Sequence, residues 1–247
     1  MRKLPIVLAA AAVLTALFAG SFYFHQRSAE QARSRCALIA QEKADLFVSS
    51  VNFVIKRAEK LKSKIELYQG QTAFAQEDMK ALCEAAEAET GISPKIIAVA
   101  PRGVVSEVYP PAGNEFLIGF KYLDKKKWEN KLAKELYSKG DTILRNPYSQ
   151  KLGAHRMAIR VPVILLKNGE RKLWGLVAVS LDMENVFQAV GLDSLSDQGL
   201  IYRLSRIEDD GTPRVLRSNG APGKHAVHIY FSTKNLEWEL AASPKDE

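Results

Sequence analysis

From Ser28 to about Gln69 the chain runs without a proline or a glycine, through residues that favour helix. At 1.5 Å per residue, some 40 residues of helix reach about 60 Å, around twice the diameter of a small domain. Read at alternating steps of three and four, Ala37, Ala40, Ala44, Phe47, Val51, Val54, Ala58, Leu61, Ile65 and Tyr68 form one unbroken apolar stripe. A second, shorter stripe carries Leu46 and Phe53. One stripe describes an ordinary amphipathic helix; two imply that the helix packs against two things. The core of its own domain accounts for the upper half of the first. The other expected partner is the same helix of a second protomer, a homodimer through the stalk. Gly70 supplies the stop.

Ahead of this stalk, "MRKLPIVLAAAAVLTALFAGSFYF" places Arg2 and Lys3 before an uncharged run from Leu4 to Phe24. A helix of about 20 apolar residues crosses a hydrocarbon core roughly 30 Å thick. Phe22, Tyr23 and Phe24 fall where an aromatic belt sits at the far interface. Residues 1–27 are therefore expected to be a transmembrane anchor, with a cleaved signal peptide at Ala19-Gly20-Ser21 as the competing reading. On either reading the bulk of the protein lies outside the cytoplasm, in the periplasm or extracellular space, with the anchor in the inner membrane. The net charge of +7 suits an anionic ligand, a membrane surface or nucleic acid. Nucleic acid conflicts with the anchor and is not expected as a partner. Two cysteines build no disulfide scaffold. The stalk places Cys36 about 50 Å below Tyr68 and Cys83 near the top, too far apart to pair within one chain. Cys36 meets its mate across a dimer or is a plain buried thiol.

After Gly91 the pattern changes from helical spacing to short β-branched runs separated by turns. Before it, a second helix is expected over Gln76–Glu89. "PKIIAVA" (94–100) and "GVVSEVYP" (103–110) read as a hairpin about Pro101-Arg102. "KKKWENKLAKELYSKG" (125–140) spaces Trp128, Leu132 and Leu136 as a helix that Gly140 stops. In 156–182 two apolar strands flank Asn168-Gly169, a strong hairpin signal, and Asp182 caps a helix over Met183–Val190. "GLIYRLSRI" and "PRVLRSN" form another hairpin, and "AVHIYFS" with "LEWELAAS" the last. The fold class is α+β: a long N-terminal stalk helix, then PAS-like antiparallel sheet.

One stretch, "VYPPAGNEFLIGF" (108–120), ends a strand at Pro110-Pro111 and turns at Gly113-Asn114. It resembles the signature segment of the CHASE family, extracytoplasmic sensor domains of bacterial and plant receptors. "GDTILRNPY" (140–148), "RVPVILLKNGERKLWGLVAVSLDMENVF" (160–187) and "GLIYRLSRIEDDGTPRVLRSNG" (199–220) are similar to further blocks in the family's order. The resemblance covers roughly Gly91 to Ser243. It implies two PAS-like units on the stalk, a membrane-distal one over about 91–182 that holds a small ligand and a membrane-proximal one over about 183–243. Within it, Gly119 is expected at the wall of a pocket, admitting close backbone approach. Members usually continue into a second transmembrane helix and an output domain such as a diguanylate cyclase or histidine kinase. A sensor region cut short at "AASPKDE", with 244–247 as a tail, is the expectation; a stand-alone anchored binder is the other reading.

Between Thr142 and Gly169 no acidic residue occurs, while Arg145, Lys151, Arg156, Arg160 and Lys167 do, with His155. Similar plant hormone receptors hold a purine through a carboxylate late in the helix before this segment. Carried over by spacing, that position falls at Glu129, with Arg145 and Lys151 in the following loop and Arg160 on the strand entering Pro162. The cations depart from the plant pattern and point to a carboxylate or phosphate ligand, since guanidinium donates paired hydrogen bonds to such groups. Arg156 and Arg160 share a strand face, so both point into a pocket or both to solvent. His225 and His228, three apart in a strand, cannot share a metal. No nucleophile elbow or glycine-rich phosphate loop occurs. Neither a cofactor nor catalysis is expected. A rival, non-sensory reading makes the chain an anchored interaction protein of the cell envelope.

Overall fold

A computed structural model describes residues 4–123, 135–136, 138, 140–145, 148–149 and 154–245; side chains are described from Ser21 onward, except at Phe22, His25, Tyr148, Ser149 and Ala154. Helix α1 spans Leu4–Leu67, 64 residues and about 96 Å. Ala40, Ala44, Phe47, Val51, Val54, Ala58, Leu61 and Ile65 are all buried, so the main stripe is the core seam of the molecule. At its two ends Ala37 is half-buried and Tyr68 exposed. Among the described residues the second stripe is left largely uncovered: Leu46 is exposed, and Phe53 is half-buried beneath the Arg57 guanidinium at 5.1 Å. The expected membrane span is the first part of α1, and its side chains through Gly20 lie outside the described ones. Among the described residues no helix is long and apolar enough to cross a membrane.

Past Leu67 the chain reverses through Gln69 and Gly70, both at positive φ, and the Gly70 amide donates to the Ile65 carbonyl at 2.8 Å. Helix α2 (Ala75–Thr90) then packs back on α1, tied by Lys64–Asp78 at 2.7 Å and by the Tyr68 and Phe74 rings, 5.3 Å apart. Gly91, left-handed at φ 70°, ends it and returns its amide to the Glu87 carbonyl.

Two antiparallel sheets follow. The first contains β1 (Ile96–Pro101), β2 (Glu107–Tyr109), β3 (Ile143–Arg145), β4 (Tyr148–Ser149), β5 (Ala154–Lys167) and β6 (Glu170–Asp182). Its order is β2-β1-β6-β5-β3, with β4 also on β5. Asn168 and Gly169 both take positive φ between β5 and β6, as a tight hairpin demands. Two short helices, α3 (Met183–Ala189) and α4 (Ser194–Asp197), lead to the second sheet. There β7 (Leu200–Ile207), β8 (Pro213–Ser218), β9 (Val227–Thr233) and β10 (Leu236–Pro244) stand in the order β8-β7-β10-β9. The expected Asp182 cap is present: its Oδ1 accepts from the Glu184 amide at 3.0 Å.

Different lengths of α1 serve the two sheets. Phe47 lies against Phe231 and Trp238 of the second sheet, ring centroids 5.5 and 5.0 Å away. Nearer the helix end, Glu66 accepts from the Ile164 amide of the first sheet at 2.8 Å. The second sheet is therefore the one nearer the N-terminal part of α1. Cys36 and Cys83 are both buried, and they are not bonded to each other.

Two details differ from expectation. The strand read over 103–110 is paired as β2 only at Glu107–Tyr109, because Arg102 and Gly103 at positive φ turn the chain and Val105 instead exchanges hydrogen bonds with Gly119 and Phe120. Gly119 is exposed, and a Cβ there would meet nothing within 4 Å among the described residues, so no close backbone approach among them explains it. Its φ of 83° does: glycine lets the chain fold back to donate to the Val105 carbonyl at 2.8 Å.

Candidate functional site

The two faces of the first sheet differ in kind. On the α1 side stand Ile97, Val99, Leu144, Met157, Ile159, Val161, Val163, Val177, Val179 and Leu181, all buried in the main core. Alternation sends their neighbours to the opposite face. There the register aligns Ala98, Ala178, Arg160 and Ile143 in one row across β1, β6, β5 and β3. The next row holds Ile96, Ser180, Ala158 and Arg145. Small residues, Ala98 and Ala178 of one row and Ala158 and Ser180 of the next, thus make the floor of this face. A modest apolar layer, with Val105, Leu136 and Leu176 buried and Tyr122 and Leu123 partly so, lies over part of it.

Arg145 stands opposite Ala158, which lies midway between Arg156 and Arg160 on β5. Diagonal neighbours of an antiparallel pair are about 7–8 Å apart, so three guanidinium-bearing residues surround one alanine. Arg160 stacks on the Tyr122 ring, 3.9 Å to its centroid, which fixes the cation's plane. Arg145 pairs through Nη2 with Glu135 Oε2 at 2.9 Å, both side chains about a third exposed or less. The Nε atoms of Arg145 and Arg156 are buried without a hydrogen-bond partner among the described residues. Asp182, opposite Arg156, already spends Oδ1 on the α3 cap. Around Ala158, then, Arg145, Arg156 and Arg160 stand with Glu135 and Asp182. Such an array can grip one small anion by bidentate hydrogen bonds.

Of the four residues expected at a ligand site, Arg145 and Arg160 are brought to this one face, and Arg156 with them. Glu129 and Lys151 lie outside the described residues, as does the 125–140 helix apart from Glu135, Leu136, Ser138 and Gly140. Sequence reasoning missed Glu135 and Tyr122. The helical spacing of 125–140 could have nominated Glu135 beside Glu129, but nothing local marks Tyr122 as the platform for an arginine on β5.

A second ionic cluster lies apart from this site and joins α3 and α4 to the second sheet. Arg217 reaches Asp193 Oδ2 at 2.6 Å and Glu184 Oε2 at 3.0 Å, and the Tyr202 hydroxyl donates to Asp193. Hydrogen bonds from Arg217 and then Tyr202 hold the Asp193 carboxyl below its ordinary value, and burial with the Asp193 contact pushes Tyr202 up to about 12. Every member is spent on another, so the cluster builds structure. Among the described residues no group of His, Cys, Asp and Glu is arranged to hold a metal.

No protein-family model matches the chain, and no curated protein matches it in sequence. Among solved structures it is similar to an extracellular ligand-binding receptor from Desulfohalobium retbaense, at 11% identity and a TM-score of 0.60. That alignment covers 84% of this chain and 40% of the receptor's length. It is also similar to the ligand-binding domain of a Pseudomonas aeruginosa amino-acid chemoreceptor in complex with GABA (14% identity, TM-score 0.51, 84% of this chain and 96% of that one). A third likeness is to the periplasmic sensory domain of a Campylobacter jejuni chemoreceptor (10% identity, TM-score 0.53, 90% and 96%). The likeness is one of fold: a long N-terminal helix carrying two antiparallel sheets.

Proposed function

We propose that this chain is the extracytoplasmic ligand-sensing region of a signal-transduction receptor and that it binds a small anion on the second face of its first sheet. The observation that carries the reading is the grouping of Arg145, Arg156 and Arg160 around a floor of Ala98, Ala158, Ala178 and Ser180. The shared fold supports it, since the similar structures are sensor and ligand-binding domains, one of them holding an amino acid. An amino acid's carboxylate is the kind of group that guanidinium recognises. No catalytic step is read for this chain.

The apolar run before the stalk would anchor the receptor in the cytoplasmic membrane, with Tyr23 and Phe24, both exposed, at the outer interface. In that orientation the first sheet is membrane-distal and α1 carries the signal inward. The outer face of α1, where Leu38, Leu46 and Leu67 are exposed, would receive the same helix of a second copy. The finer assignment, to the CHASE family, rests on the four similar segments alone.

A thermal-shift screen of the purified chain against carboxylates, amino acids, phosphates and purines tests the reading. A saturable rise with one anionic class is expected. A shift with neutral purines only would contradict the anion. No shift with any class, in a folded sample, would favour the anchored interaction protein instead.

A further inference from the structure

Strand β3 is three residues long and lies at the edge of the first sheet. Its inner edge pairs with β5. Its outer edge is held by one side chain from the other sheet: the Leu144 amide donates to Asn235 Oδ1 at 2.8 Å, and Asn235 Nδ2 donates to the Leu144 carbonyl at 3.0 Å. Asn235 stands in the β9–β10 turn, and its carboxamide fills both positions that a neighbouring strand would fill. Beside it, Glu59 Oε1 of α1 accepts from Thr142 Oγ1 at 2.7 Å and from Lys234 Nζ at 3.3 Å. Thr142 immediately precedes β3, and Lys234 immediately precedes Asn235. Stalk, second sheet and β3 thus meet at one point.

The strand itself faces two ways. Leu144 is buried in the main core on the α1 side, while Ile143 and Arg145 present their side chains to the cationic face. We infer that the Asn235–Glu59 clamp makes β3 the joint between the ligand site and the stalk. A shift of β3 has two outcomes: Asn235, Lys234 and Glu59 move with it, or buried backbone groups of Leu144 lose their partners, which is costly. The first outcome passes a site event to α1. This inference takes its purpose from the ligand reading above, but its test needs no ligand.

The test is backbone hydrogen–deuterium exchange on the full chain, comparing wild type, Arg145→Ala, Asn235→Ala and the double variant. Among the described residues Arg145 pairs with Glu135 and shows no ion pair to α1 or the second sheet, so its removal is a perturbation from the site side. Several-fold faster exchange is expected in 142–145, and with it in 231–236 and in the α1 segment 56–62. In the Asn235→Ala background the change should no longer reach 231–236, while 56–62 keeps the part that passes from Thr142 to Glu59. Asn235→Ala alone should speed exchange of the Leu144 amide on the order of tenfold, as loss of one hydrogen bond implies. An Arg145→Ala effect confined to 142–145 in the otherwise wild-type chain would overturn the joint, and so would one that still reaches 231–236 undiminished without Asn235. Should Asn235→Ala not fold, wild-type exchange at low denaturant decides. Segments 142–145, 233–236 and 56–62 opening together, with one denaturant dependence, supports the joint; independent opening overturns it.

Discussion

Replacing Phe47 by alanine should remove an aromatic tie between α1 and the second sheet. The ring is 2% exposed and lies within 5.5 Å of the Phe231 ring and 5.0 Å of the Trp238 ring, centroid to centroid. Burying a phenylalanine removes roughly 150–250 Å² from water, which at about 25 cal/mol/Å² is worth around 4–6 kcal/mol as an upper bound. Measured Phe→Ala losses in cores are about 3–5 kcal/mol, and the expectation here is about 4. Set against total stabilities of about 5–15 kcal/mol, that is a large fraction. Urea unfolding followed by the fluorescence of buried Trp238 reads it as a lower midpoint at unchanged slope. Phe53→Ala is the matched control on the outer face of the same helix, where a partly exposed ring under Arg57 should cost about 1 kcal/mol or less. Equal losses for the two, or a loss below about 1 kcal/mol for Phe47→Ala, would refute the placement of the core stripe.

Three further outcomes follow from the same structure. Arg217 holds the Asp193 carboxyl below the ordinary 3.8, so the folded state binds fewer protons than the unfolded chain as pH falls past that value. That contribution is present above pH 3.8 and lost as pH drops through the lower folded value; Arg217→Ala should flatten this part of an acid titration, and an unchanged profile would count against it. Burial and the charges of Glu87 and Glu84 raise the Cys83 thiol to about 11, so a thiol reagent at pH 8 should label it only at the rate of unfolding. Immediate labelling in the folded protein would contradict its burial. Gly175→Ala would drive a Cβ into the Ala100 carbonyl oxygen, where β6 lies beside β1, and should cost about 1–3 kcal/mol in the same urea assay.

What the sequence made legible was what repeats along it. The run from Ala40 to Ile65 shows its period of 3.6 without help from any other segment, and Asn168-Gly169 marks its own hairpin because positive φ is a local demand. Alternation placed Arg156 and Arg160 on one face of β5 but could not say which. That answer depends on Ala98 and Ala178, small residues on two other strands that share the arginines' side of the sheet. The break in the 103–110 strand was hidden because Val104-Val105 reads as strand, whereas in the fold Val105 is claimed by Gly119 and Phe120. Asn235 was invisible for the same reason. A turn asparagine is ordinary, and nothing near it announces that its amide completes the edge of a sheet 91 residues away.

The most direct measurement is isothermal titration of the anion that shifts stability most, into wild type and into the Arg145→Ala, Arg160→Ala double variant. Each hydrogen bond to a charged group contributes about 1.5–3 kcal/mol, so loss of both arginines should weaken binding at least about a hundredfold. Unchanged affinity in a folded double variant would show that the cationic face of the first sheet is not the ligand site.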